Sequence, residues 1–452
     1  MRVSKPIILH LPELMVTRLD ECLKVKPPNF KYNRIYFYYI IHYVVIKKSK
    51  RKNKGEDNKY IFINLKKLKN VTVSNIDRYI NLLKKYDILI SDNSYEPGVK
   101  SLKYKLNEKF INKVFELDIP KDSKLSKRLL KKQRLEKSNY CKLDPHLRIM
   151  QKEFMKLNFN YGGAYKWIEQ NAKPEQKLSY RTVLNQIEDK RFRYFKRNKT
   201  NKRLDTNLTN LLTELRPFII GDYVSIDLKN SQPFILGILI DNILKSKKVL
   251  KYNKEIIKDT YPPICYYLSL SKVSQTFGII ALKRILKFSK NNEILINDTY
   301  YDFLNVTKKG TLYEFIIENY HKEIKRKETK KMMFEVLFSR NKYYKNGKLK
   351  IPFIQNKKIF ASLFPLVSKV VEILKIKTYS DLPIYMQRME SFIFIDRISK
   401  ELVNSDIVPL TIHDSVIVKA KDQVKTIEIM NNVFMKQIGV IPSFNIEPLK
   451  LN

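Results

Sequence analysis

The stretch that most constrains the fold is residues 223–240, where Tyr-Val-Ser-Ile-Asp-Leu-Lys-Asn-Ser-Gln-Pro leads into an unbroken apolar run. Val224 and Ile226 flank Ser225 in the alternation of a short strand, Asp227 stands at the strand end, and Phe234 to Ile240 opens a buried helix. A carboxylate at a strand end followed by polar residues suits metal binding. Asp, Asn and Ser are also good helix N-caps, so this stretch alone leaves both readings open. A second stretch separates them. In Leu410-Thr-Ile-His-Asp-Ser-Val-Ile-Val418 apolar runs enclose His413, Asp414 and Ser415, the pattern of a β-hairpin with a polar tip. Two strands that each present an aspartate can share divalent cations, as two-metal nucleotidyl transfer requires, with ions roughly 3.5–4 Å apart.

The Asp227 and His413-Asp414 stretches resemble motifs A and C of the family A DNA polymerases and of their relatives, the phage-type single-subunit RNA polymerases. The resemblance implies a helical motif B between them. Arg326, Lys330, Phe334 and Phe338 recur every fourth residue and share one helical face, with Met332, Met333, Val336 and Leu337 as apolar packing. In that family this helix holds the incoming nucleotide, which implies Arg326 and Lys330 on the triphosphate, as fork and point charge. Phe334 would lie against base or sugar, with Phe338 one turn on. A basic surface helix is the alternative. The resemblance further implies Asp227 and Asp414 as ligands of two Mg2+ ions, with Mn2+ the substitute, and His413 near the primer end. It implies an α+β right-hand polymerase of palm, fingers and thumb.

The product of such a site turns on Gln232, five residues after the first aspartate. The DNA enzymes carry Glu there, which blocks the ribose hydroxyl; the RNA enzymes carry a small residue. Gln has the bulk of Glu, and Phe334 matches the aromatic of the DNA enzymes. Ser415 instead matches the RNA enzymes, Phe338 has no hydroxyl to recognise a ribose, and Ser339 replaces the usual Gly. The balance favours DNA. Upstream, Arg203, Asn207 and Asn210 match the family's Arg and Asn-Leu-x-Asn pattern and would touch primer and template. Gln387 stands where the family has a Gln on the duplex near the primer end.

At 452 residues the chain exceeds one core, and two or three domains are expected. With 88 Lys and Arg against 45 acids, a net charge of +43, it calls for a polyanionic partner. Its 44% hydrophobic content excludes a disordered chain. The start has no signal-peptide pattern and no apolar run spans a bilayer. The expectation is a soluble protein of a bacterial or phage-infected cytoplasm, or of an organelle if plasmid-encoded, neither secreted nor membrane-bound. Cys22, Cys141 and Cys265 are isolated from one another, so neither a disulfide framework nor a zinc site is indicated.

Three regions are expected. Residues 1–120 form a winged-helix-like DNA-binding module. Within it Ser74 and Asp77 signal a helix start, Ile76, Tyr79, Ile80 and Leu83 make an apolar stripe, and Tyr60–Leu65, Ile88–Ile90 and Leu102–Leu106 read as strands. In that fold Lys84, Lys85, Lys100 and Lys103 would meet phosphates; a protein partner such as an accessory replication protein is the module's alternative ligand. Residues 121–205 combine a basic linker or helix with a thumb-like helical region broken at Gly162-Gly163. They end in Lys190–Lys202, whose interleaved basic and aromatic residues fit a nucleic-acid groove. Residues 206–452 are palm and fingers, with helices at Phe360–Ile376 and Leu382–Leu402. A tail helix carries Val424, Ile427, Met430 and Phe434 and is closed by Pro442. No upstream carboxylate cluster suggests a proofreading exonuclease. The expected activity is therefore template-directed DNA synthesis from a primer-template and nucleoside triphosphates, for a phage, plasmid or other mobile element. A phage-type RNA polymerase or primase, and a non-catalytic DNA-binding replication initiator, are the alternatives; oligomeric state is open.

Overall fold

The computed structural model describes residues 7–49, 60–92, 102–110, 114–120, 122–137, 143–249, 298–320, 324–345, 348–376 and 378–450. Lys100, Cys141, Cys265 and residues 250–297 of the expected palm and fingers lie outside the described residues. The chain forms two compact units that interleave in sequence. The first comprises Met1–Lys142, Asn158–Tyr194 and Asn210–Ile220, the second Leu143–Leu157, Phe195–Thr209 and Gly221–Asn452. Linear boundaries at 120 and 205 thus give way to segments that cross back and forth.

In the first unit the strand Ile7–Pro12 pairs antiparallel with Val114–Ile119, from Ile7 opposite Ile119 to Pro12 opposite Val114. A small antiparallel sheet places Lys103–Leu106 between Ile61–Phe62 and Leu89–Ser91. The helix Ile76–Lys85 buries Ile76, Tyr79, Ile80 and Leu83, the stripe expected from their spacing. Its N-cap is Asn75, without a side-chain cap bond, one residue later than the Ser74 signal. The strand expected at Tyr60–Leu65 is confined to Ile61–Phe62, because Leu65–Lys69 turns helical.

The basic segment becomes the helix Lys124–Lys137. Leu125 is buried in the amino-terminal core and Leu129 and Leu130 pack on it, so the segment is an amphipathic helix of this unit, with Lys124, Lys127 and Lys131 exposed. Gly162-Gly163 is no break: it forms the first turn of Tyr161–Asn171, where the Asn160 side chain accepts from the Gly163 N–H at 2.9 Å. A Cβ on Gly163 would come within 2.8 Å of Asn160 Nδ2, which is why the cap needs glycine there.

The second unit is organised by a four-stranded antiparallel sheet, in the order Leu410–Ile412, Ser415–Lys419, Tyr223–Leu228, Phe444–Pro448. Val224, Ile226 and Leu228 share one face with Val416 and Val418 and are buried. Ser225, Asp227 and Ser415 share the other. Behind the apolar face, Phe434 of the helix Gln423–Ile438 is fully buried and meets Phe234, Phe394 and Phe444 with centroids at 6.1, 6.0 and 5.7 Å. The stripe differs from the expected one. Thr426, Met430, Val433 and Phe434 are buried while Val424 is 78% exposed, and the helix ends in left-handed Gly439, well before Pro442.

A continuous helical rod, formed by Asp381–Ser391, a π segment Phe392–Ile398 and Ser399–Asn404, packs against the helices Ser231–Val249 and Gln423–Ile438. A π segment shifts each N–H to a carbonyl five residues back and leaves carbonyls to be satisfied from outside. Here the Ser399 hydroxyl donates to Phe394 O at 2.7 Å and His146 Nε2 donates to Ile395 O at 2.9 Å. His146 belongs to the helix Pro145–Lys156. Burial keeps this imidazole below its ordinary pKa, as a neutral donor requires.

Candidate active site

Strand register brings the two aspartates to one end of the sheet. Asp227 pairs with Ser415, the residue after Asp414, and Leu228 N–H donates to Asp414 O at 3.2 Å. On its other side Asp227 is paired with Asn445, a neighbour the sequence pattern did not mark. Both carboxylates are half-buried. The hairpin turns on His413-Asp414 alone, since Ile412 pairs with Ser415. His413 takes φ +58° to do so, a left-handed conformation that costs a non-glycine residue roughly 1–2 kcal/mol. Ser415, a residue that matches the RNA enzymes, serves the fold itself: its hydroxyl lies 2.7 Å from that of Ser225, buried between the central strands.

Beside this end lies a buried carboxylate that the motifs do not include. Glu390, 1% exposed, accepts from Arg203 Nη2 at 2.7 Å, from Ser231 Oγ at 3.4 Å and from Gln232 Nε2, all on Oε2. Burial raises its pKa to about 7, and repulsion from Asp414 adds to the rise while the Arg203 guanidinium opposes it. Its signal in the sequence was spacing alone, three residues after Gln387 and so on the same helical face. Gln387 accepts from Asn201 Nδ2 at 3.1 Å. Arg388 Nε donates to Thr200 O at 2.7 Å, and the Ser391 hydroxyl donates to Lys202 O. The 198–203 loop is thereby stapled along the rod, and Arg203, Gln387, Gln232 and Glu390 form one cluster.

The helix Arg326–Phe338 has the expected faces: Met332, Met333, Val336 and Leu337 are buried, Arg326, Lys330 and Phe334 exposed, and Phe338 half-buried. Phe334 and Phe338 stack along it with centroids 5.3 Å apart. Arg326 is held by Glu314, its Nε donating to Oε1 at 2.7 Å, and lies 5.2 Å from the Tyr313 ring centre. Burial pushes the Tyr313 phenol up to about 12, with Arg326 opposing the rise and Asp414 adding to it. Ser339 ends the helix without glycine because Lys375, the C-cap of the helix Pro365–Leu374, donates from Nζ to Val336 O at 2.6 Å and Ser339 O at 3.1 Å.

Other expected contacts fall elsewhere. Asn207 is buried, and Asn210 belongs to the first unit, where its Nδ2 donates to the Tyr194 hydroxyl at 2.6 Å. Within Lys190–Lys202, Arg193 is buried and spent on Ile187 O at 2.7 Å and the Tyr161 hydroxyl at 3.1 Å. Arg197 is paired with Asp396 at 2.8 Å. Basic-aromatic alternation here reflects internal packing at those two positions, with Lys196 and Lys199 left exposed. Lys84 and Lys85 are the last two residues of the helix Ile76–Lys85; Lys85 is exposed, and Lys103 is half-exposed with its Nζ 5.4 Å from the Phe62 ring centre.

Among the described residues no group of three or more His, Cys, Asp or Glu assembles as a metal site. Mg2+ is commonly held by one or two carboxylates together with water and substrate phosphates. Two half-buried aspartates on neighbouring strand ends fit that donor set.

No protein-family model matches the chain, and no curated protein matches it. Among solved structures, the POL domain of Pol1 from M. smegmatis, in complex with DNA primer-template and dNTP, aligns at 10% identity with a TM-score of 0.28. The alignment covers 64% of this chain and 55% of that one, little more than half of its length. No helix among the described residues is long and apolar enough to cross a membrane.

Proposed function

We propose that this protein is a template-directed DNA polymerase of family A type, acting without a proofreading exonuclease in the replication of a phage, plasmid or other mobile element. One observation carries the reading. The pairing of Asp227 with Ser415 sets the aspartates of two separate motifs at one strand end, with Gln232 and Arg203 joined through Glu390 beside them.

In this reading Asp227 and Asp414 hold two Mg2+ ions, whose chemistry is to lower the pKa of the attacking hydroxyl and to neutralise charge on the phosphates. The primer 3′ oxygen bonds to the α-phosphorus, the bond to the bridging oxygen breaks, pyrophosphate leaves and the hydroxyl proton passes to water. Lys330 and Arg326 stabilise the triphosphate, Phe334 supports base or sugar, and His413 lies at the primer end. Positioning and electrostatics carry such a transfer. The helix and three-stranded sheet of the first unit, with Lys84, Lys85 and Lys103, serve as a winged-helix-like module on DNA.

The test is extension of a labelled primer on a DNA template with Mg2+, supplying deoxy- or ribonucleotides separately, for wild type and Asp414→Asn. Loss of a shared metal ligand removes several kcal/mol of transition-state stabilisation, so templated deoxynucleotide addition should fall at least ~100-fold with DNA binding retained. Equal activity in Asp414→Asn overturns the assignment. Ribonucleotide addition transfers it to primase or RNA polymerase.

A further inference from the structure

Gln232 does not stand alone. Its side-chain amide donates from Nε2 to Glu390, while its own Oε1 and Glu390 Oε1 are buried with no hydrogen-bond partner among the described residues. A free glutamine in the first turn of a helix would exchange among rotamers, and fixing it costs side-chain entropy. A buried carboxyl oxygen supplies that fixation by accepting the amide N–H. Glu390 is in turn held by Arg203 at 2.7 Å and Ser231 at 3.4 Å, so the anchor cannot swing with its cargo. Since Ser231 and Gln232 both belong to the start of the Ser231–Val249 helix, one carboxylate pins the backbone turn and the side chain at once.

We infer that Glu390 is the positioning residue of the sugar gate: it holds Gln232 rigidly so that its bulk, unable to move aside, discriminates deoxyribose from ribose nucleotides. The inference rests on the polymerase reading and adds a residue outside the three motifs. Bulk alone and anchored bulk make different demands on Gln232. If bulk alone sufficed, methionine, of similar length and without a donor, would serve as well.

The experiment measures kcat/KM for deoxy- and ribonucleotides on one primer-template, in wild type, Gln232→Met, Glu390→Met and the double variant. The ratio between the sugars cancels any loss of folded protein. The expected result is a change in that ratio of at least tenfold in Gln232→Met and a similar change in Glu390→Met, carried by the KM for the disfavoured nucleotide. The double variant should go no further than either single one. A ratio within twofold of wild type in Gln232→Met overturns the inference, as do single effects that multiply. If Glu390→Met does not fold, Gln232→Met decides alone. Wild-type protein that adds neither nucleotide overturns the polymerase reading and this inference with it, whereas normal addition with an unmoved ratio overturns the inference alone.

Discussion

Glu390 should make the stability of the protein depend on pH in a direction opposite to that of an ordinary paired carboxylate. Its folded pKa, about 7, exceeds the usual 4.5 because burial and Asp414 outweigh Arg203. Below pH ~4.5 the carboxyl is protonated in both states and contributes no difference. Between about 4.5 and 7 the unfolded chain releases the proton while the folded protein retains it, so stability falls as pH rises. Above the folded value the loss is complete, and the displacement of the pKa corresponds to ~3 kcal/mol at 1.36 kcal/mol per tenfold. Glu390 is 1% exposed, so solvent screening takes little from this figure. The assay is urea unfolding followed by circular dichroism from pH 4.5 to 8 in the presence of a chelator, with Glu390→Gln in parallel. The wild type should lose ~3 kcal/mol relative to the variant across that range, chiefly below pH 7. A difference that stays flat, or that grows in favour of the wild type as pH rises, refutes the electrostatic account of this cluster.

Three further outcomes are expected. Phe434→Ala removes the ring on which Phe234, Phe394 and Phe444 converge and should destabilise the second unit by about 3–5 kcal/mol in chemical denaturation. Gly310→Ala forces a Cβ into a left-handed site, 2.6 Å from Lys229 Cβ, and should cost ~2 kcal/mol or more by the same measurement. Lys330→Ala alters an exposed side chain, so the melting temperature should hold while the nucleotide KM rises roughly tenfold or more, the worth of one charge-assisted bond; an unchanged KM removes Lys330 from the triphosphate site.

Much of the second unit could be read from the chain because its signals are local. The alternation around Asp227, the two-sided apolar run around Asp414 and the four-residue period from Arg326 to Phe338 each specify an element and the face it presents. What the pattern could not supply was partnership at long range. Arg193 and Arg197 look like phosphate ligands in sequence; one is buried on Ile187 and Tyr161, the other is paired with Asp396, and the Tyr161 and Asp396 contacts depend on tertiary placement. Glu390 offered only its spacing from Gln387, since nothing in a lone glutamate tells that an arginine 187 residues away will lie against it. The tail helix shows a subtler limit. Val424 fits the apolar spacing yet lies in its exposed first turn, while Thr426, polar by type, is buried. The interleaving of the two units was not legible either, because which segments return to a unit is decided by tertiary contacts and not by local pattern.

The π segment at Phe392–Ile398 also bears on how this chain can change over time. A wide turn carries an extra residue relative to α geometry, and each residue added or removed rotates all that follows by about 100°. On one side of it Gln387 and Glu390 must face Asn201 and Arg203; on the other, Ser399 and Leu402 are buried. The two halves have different angular requirements, and the wide turn is the shim that reconciles them. The apolar residues Phe392, Ile393, Phe394, Ile395 and Ile398 can drift so long as volume is kept, whereas Asp396 is tied to Arg197, and a single deletion anywhere in the segment would turn one half away from its partners. Descendants of this chain should vary in the apolar spelling of that segment, keep the acid that meets Arg197, and agree in its length.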